Sequence, residues 1–156
     1  MKRVKFMSVY DAFEYVMDHY YPFGLEDLNE RGDTYAVISI QDSHTGGFGV
    51  EFTENQFCKG VLTLRFDDID REVDGAVLFD DRHAEQIIDF ILAHRKDVDT
   101  LLVHCYAGQS RSRAVAAFAV WMLGGDDSGY IDSGAPNMHV YDVLKGAWLR
   151  RQLGGE

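Results

Sequence analysis

Cys105 and Arg111 stand with five residues between them inside the stretch LLVHCYAGQSRSRAVAAF, residues 101–118. These residue types at this spacing suit nucleophilic attack on an oxyanion. The reactive form of cysteine is the thiolate, which is favoured where the local potential is positive. A short loop over 106–111 can turn successive backbone N–H groups inward and make an anion nest. Gly108 permits the backbone angles that such a nest requires. A helix starting near Arg111 and Ser112 would direct its positive end at the same point. Arg111 adds a fixed charge whose planar fork matches two oxygens of a tetrahedral anion. Ser110 and Ser112 bring hydroxyls within plausible reach of the sulfur or the anion. A second group of reactive side chains, Asp67, Asp68 and Asp70, crowds the turn after VLTLRF and offers carboxyls for proton transfer.

These groups need a scaffold, and the hydrophobic pattern predicts one. Residues 35–40 (YAVISI) and 61–66 (VLTLRF) read as buried strands, and 100–104 (TLLVH) as a short third strand. Ser8 caps an expected helix over 8–20, with Ala12, Phe13, Val16 and Met17 inward. Asp80 or Asp81 caps another over 82–95, whose inner face carries Ala84, Ile87, Ile88, Ile91 and Leu92. Residues 112–123 are apolar on nearly every side after the first turn, which predicts a buried helix. A last amphipathic helix is expected over 138–151, with Val140, Val143, Leu144, Trp148 and Leu149 inward. Residues 41–58 read as a long loop or weak hairpin. Strands alternating with helices predict an α/β, three-layer sandwich around a mostly parallel sheet of about four to five strands. Ligand sites in such sheets lie beyond the carboxyl ends of the strands, where both reactive segments fall.

The segment HCYAGQSRS resembles the signature of the protein tyrosine and dual-specificity phosphatases: His-Cys, five residues, Arg, then Ser or Thr. The flanking strand and apolar helix match as well. The resemblance implies a phosphotyrosine protein phosphatase-like fold and a phosphocysteine mechanism. Cys105 would be the nucleophile, and Arg111 would bind the equatorial phosphate oxygens. The amides of Tyr106, Ala107, Gly108, Gln109, Ser110 and Arg111 would cradle the phosphate. His104 would position and tune the cysteine, and Ser112 would hydrogen-bond the thiolate. The resemblance also asks for an aspartate after an earlier strand as general acid. Asp68, 37 residues before Cys105, fits that place best, with Asp67 second and Asp70 third. No metal or other cofactor is implied. The implied substrate is a phosphorylated protein or peptide, carrying phosphotyrosine or also phosphoserine and phosphothreonine.

Charge and composition narrow the alternatives. A net charge of −11 argues against nucleic acid and against an anionic membrane surface. The basic N-terminus has neither a clean apolar run nor a small-residue cleavage site, so no signal peptide is expected. A cytoplasmic protein with one domain over 1–156 is the expectation. Cys58 and Cys105 are too few for a disulfide framework. Cys58 reads as a buried thiol, with a resolving role as the sharper alternative. Arg113 reads as a solvent-facing helix residue, the other reading being a charge at the pocket rim. His19, His44, His83, His94 and His139 show no metal-ligand spacing. Three other functions stay open. A phosphoinositide phosphatase shares the signature, although no lysine lies inside this loop. A sulfurtransferase also seats cysteine in an anion loop, although His-Cys and Ser-Arg-Ser fit it poorly. The third is a phosphate-binding module without turnover.

Overall fold

Four short strands, rich in β-branched and aliphatic residues, form one sheet at the centre of the molecule. The computed structural model describes residues 1–21, 33–44, 47 and 51–154. Pro22 and part of the loop expected over 41–58 lie outside these residues. The strands are β1 (Arg3–Ser8), β2 (Tyr35–Gln41), β3 (Cys58–Arg65) and β4 (Thr100–Cys105), in the spatial order β1-β4-β2-β3. Every neighbouring pair is parallel, so all four carboxyl ends meet at one edge. The expected three-layer sandwich is observed, at the lower end of the predicted strand number.

The helices are α1 (Val9–Tyr20), α2 (Asp81–His94), α3 (Arg111–Met122), α4 (Ser128–Ile131) and α5 (Met138–Gly154). Alternation along each strand divides the core in two. Ala36, Ile38, Ile40, Leu101 and Val103 face α2, α3 and α5. Tyr35, Val37 and Leu102 face Ala12, Val16 and Tyr20 of α1. The caps follow the sequence. Ser8 accepts the Asp11 amide at the start of α1, and Asp80 accepts those of Arg82 and His83 at the start of α2. Among the described residues, no helix is long and apolar enough to cross a membrane.

Four expectations need correction. Strand β1 was not anticipated, because Arg3 and Lys5 break its apolar pattern and, among the described residues, it is an edge strand paired to β4 alone. The short helix α4 was not anticipated either. Phe13 and Leu149, predicted to point inward, are each 46% exposed. Tyr141 and Ala147 occupy the inner face of α5 in place of Leu149.

Strand β1 matters because it carries the loop after β4. Ser8 lies opposite Cys105 in the parallel register, and the Val9 amide donates to the Tyr106 carbonyl. Gly108 then packs directly on the β1 backbone, at φ +73°. A Cβ there would fall 2.2 Å from the Ser8 nitrogen and 2.4 Å from the Met7 carbonyl carbon. Gly75 has a similar φ of +81° but open space around it. Left-handed backbone strain alone costs about 1 kcal/mol for alanine, so Gly75→Ala should lose about that much. Gly108→Ala must also push β1 and the loop apart and should lose roughly 2 kcal/mol more. Urea unfolding of the two variants measures the difference. Equal losses would mean that the contact with β1 yields easily.

Candidate functional site

Residues 106–110 leave the end of β4 and turn tightly into α3. Inside this turn the Gly108 amide donates to Cys105 Sγ at 3.2 Å. Ser112 Oγ lies 3.1 Å from the same sulfur. Among the described residues, no acceptor takes the amides of Ala107, Gln109, Ser110 or Arg111. Helix α3 begins at Arg111 with no acidic residue in its first turn. Its positive end faces the loop, with the Asp42 carboxylate on Arg111 and the Asp68 carboxylate on Ser110. Cys105 and Ser112 are buried, whereas Tyr106 stands 52% exposed with its ring against that of Tyr10.

Arg111 is buried as well, and its side chain reaches across the strand ends. Nη1 donates to the Phe66 carbonyl at 2.8 Å and contacts Asp42 Oδ1 at 2.7 Å. Nε is shielded from solvent and has no hydrogen-bond partner among the described residues. The guanidinium is thus held on one edge and has an unused donor on another. A buried donor left empty is costly, so this edge is suited to an incoming anion. Asp42, just past β2, was not anticipated. Its only sequence signal is an acidic residue at the carboxyl end of a strand.

His104 points the opposite way from Cys105, towards the α1 side of the sheet, as adjacent strand residues must. It is fully buried, and its ring nitrogens lie 2.7 Å from Ser39 Oγ and 3.3 Å from the Cys105 carbonyl. Burial lowers its pKa to about 4, and the Arg111 charge works in the same direction against the Cys105 carbonyl bond. The ring is therefore neutral near neutral pH. Phe52 packs against it, with ring centroids 5.3 Å apart.

The three aspartates have different surroundings. Asp67 accepts the Ser43 amide at 3.0 Å, the Val77 amide at 2.7 Å and the Ser43 hydroxyl. Burial alone would push its carboxyl up. The Ser43 hydroxyl, the Val77 and Ser43 amides and nearby His44 more than offset that and hold it below the ordinary range. Asp67 thereby ties the end of β3 to two other segments. Asp68 is exposed and faces the loop after β4. Its Oδ1 accepts Ser110 Oγ and Asn137 Nδ2, each at 2.8 Å. Asp70 points to solvent and pairs with Arg71 at 3.0 Å.

Asn137 was also not anticipated. It holds Asp68 and the Ile69 carbonyl with one amide nitrogen, caps the start of α5 with its oxygen, and donates its backbone N–H to the Ser110 carbonyl. One residue thus links the Asp68 turn, the anion loop and α5. A cleft of about 600 Å³ opens alongside, lined by Asp68, Ile69, Arg71, Ser110, Asn137 and His139.

Two further expectations are settled by position. Cys58 begins β3 and pairs with Tyr35, at the end of the sheet opposite Cys105. It is buried, and burial pushes its thiol up, so it is no resolving partner. Arg113 is neither solvent-facing nor at the rim. It lies on the Phe6 ring and binds the Tyr130 and Gly129 carbonyls and Ser133 Oγ, fastening the segment around α4. Among the described residues, no group of three or more His, Cys, Asp or Glu is gathered to hold a metal.

No family model matches the sequence, and no curated protein matches it. Solved structures do match. The human tyrosine phosphatase-like serine/threonine/tyrosine-interacting protein aligns at TM-score 0.55 and 20% identity, over 77% of this chain and 80% of that one. PTPMT1 aligns at TM-score 0.53 and 16% identity, over 100% and 97%. DUSP15 aligns at TM-score 0.52 and 18% identity, over 100% and 93%. The chain has the α/β fold of the tyrosine and dual-specificity phosphatases, with its Cys105–Arg111 loop at the carboxyl edge of the sheet.

Proposed function

We propose that residues 1–156 are one catalytic domain of a cysteine-dependent phosphatase acting on phosphorylated protein side chains. Phosphotyrosine is the first substrate, with phosphoserine and phosphothreonine if the slot proves shallow. The observation that carries this reading is the arrangement at the sulfur. Cys105 Sγ takes an amide hydrogen from Gly108, sits beside Ser112 Oγ, and shares its loop with a buried guanidinium that has an unused donor.

In the first step Cys105 Sγ attacks phosphorus and the P–O bond to the side chain breaks. Asp68 gives its proton to the departing oxygen. The loop amides and Arg111 carry the charge of the three phosphoryl oxygens. In the second step water attacks the phosphocysteine and Asp68 takes a proton from it. The P–S bond breaks, inorganic phosphate leaves, and the Ser112 hydroxyl stabilises the departing thiolate. A thiol with this role needs a reducing compartment, which fits the cytoplasm.

A lipid reading has some support. PTPMT1 has been crystallised with PI(5)P. Against it stand the −11 charge and a loop that holds Tyr106, Ala107, Gln109 and Ser110 rather than lysine. A binding module without turnover is the remaining reading, and one assay addresses it. The protein should hydrolyse p-nitrophenyl phosphate in EDTA, and vanadate should stop it. Cys105→Ser should remove turnover while leaving the unfolding midpoint near that of wild type. Phosphopeptide binding without turnover by the wild type would favour the module.

The two neighbouring aspartates should separate cleanly. Asp68→Asn should slow phosphopeptide turnover by about 10²–10⁴, with a smaller loss on good leaving groups. Asp67→Asn should largely keep its turnover but lose roughly 2 kcal/mol of stability. Because the folded Asp67 carboxyl is held low, its contribution is full above about pH 4. It is lost as pH falls through the lower folded value. Turnover lost in Asp67→Asn and spared in Asp68→Asn would reverse the assignment.

A further inference from the structure

We propose that Ser39 and Gln41 are positioning residues that fix the ring proton of His104 on the nitrogen facing the Cys105 carbonyl, and so aim the first amide of the anion loop. The proposal rests on the phosphatase reading for its consequence, but not for its geometry. Three polar side chains lie side by side under the α1 face: Gln41, Ser39 and His104, all buried. Gln41 Nε2 is 2.8 Å from Ser39 Oγ, and Ser39 Oγ is 2.7 Å from His104 Nε2. Ser39 and His104 are also direct partners in the β2–β4 register.

The chemistry of each group sets the direction of this chain. A carbonyl oxygen only accepts, so His104 Nδ1 donates to that of Cys105. Ser39 Oγ, facing Nε2, gives its proton there and takes one from Gln41 Nε2, whose own Oε1 is buried without a described partner. The serine has one proton to give. Among the described residues, His104 Nε2 is the acceptor within reach of it. A neutral imidazole carries one N–H, and Nε2 is occupied as an acceptor. The proton therefore sits on Nδ1, 3.3 Å from the Cys105 carbonyl oxygen. Each hydrogen bond polarises the next in the same direction. The opposite tautomer would set a nitrogen lone pair against that oxygen inside a dry site, which is the costlier arrangement.

The consequence follows from peptide geometry. In a planar trans peptide the C=O and the following N–H point in opposite directions. Drawing the Cys105 carbonyl towards His104, on the α1 side, turns the Tyr106 N–H towards the α3 side. The sulfur and Arg111 lie on that side. A chain of side chains on the far face of the sheet thus presets the loop on the near face.

The test uses the full chain labelled with ¹⁵N. Long-range proton–nitrogen spectra report which ring nitrogen of His104 carries the proton, and a His104→Asn variant assigns the signals. The wild type should show Nδ1 protonated and Nε2 bare at neutral pH. Ser39→Ala should mix the two tautomers and lower kcat on p-nitrophenyl phosphate about tenfold, with KM little changed. Ser39→Thr, which keeps the hydroxyl, should retain both the tautomer and the rate. A wild-type ring protonated on Nε2, or on both nitrogens, would overturn the proposal. So would a Ser39→Ala variant with the wild-type tautomer and rate. A wild type without turnover would remove the phosphatase reading alone, because the ring spectrum still decides the relay.

Discussion

The loop after β4 keeps its shape because two stretches of bare backbone touch. Gly108 lies on the Met7–Ser8 peptide with no room for a side chain, in a left-handed conformation that other residues resist. That contact presses the turn against the end of β1 and directs the Gly108 amide at Cys105 Sγ. The proposed chemistry depends on it. If the turn relaxed outward, the sulfur would lose the Gly108 amide. An edge strand of modest hydrophobicity thus supports the loop. Its main bond to the rest is the parallel ladder with β4, which places Ser8 level with Cys105.

Electrostatics imposes the second constraint. A guanidinium taken out of water costs several kcal/mol unless its donors are matched. Arg111 meets that demand by binding Asp42 and the Phe66 carbonyl at the ends of β2 and β3. These contacts fix the plane of the fork while leaving Nε without a described partner. An arginine held this way is preorganised, so an anion that binds there does not have to order a flexible chain. The arrangement also reconciles the proposed anion site with an acidic protein. The −11 net charge is spread over the surface, whereas the loop is governed by donors within a few ångströms.

The parts of this site that sequence revealed are those encoded in one short stretch. Cys105, Gly108, Arg111 and Ser112 lie within eight residues, and the apolar run that follows could only be a buried helix. The three sheet-forming runs and the capped helix α2 were legible for the same local reason. What was not legible comes from long-range packing. Asp42 and Ser39 are ordinary polar residues on or just past a buried strand until the sheet order sets β2 beside β4. Asn137 looks like a helix cap, which it is, but its amide nitrogen serves a turn 68 residues away. The choice between Asp67 and Asp68 was unreadable because adjacent residues point in opposite directions. Only the structure tells which one turns inward to bind backbone amides and which one faces the loop. Phe13 and Leu149 show the reverse limit. Each satisfied a helical period, yet the sheet offered no surface at that angle.

Strand β4 brings these constraints together. Its last two residues face opposite sides, so one strand end serves two layers. Cys105 joins α3, the loop amides and Arg111, where the proposed reaction needs donors open to an anion. His104 joins β2 and α1, where a neutral ring is enclosed and satisfied by side chains that stay in place. Keeping the permanent network on one face and the vacant donors on the other avoids competition between them. The sheet therefore acts as a partition, and the rigid peptide joining Cys105 to Tyr106 couples its two faces.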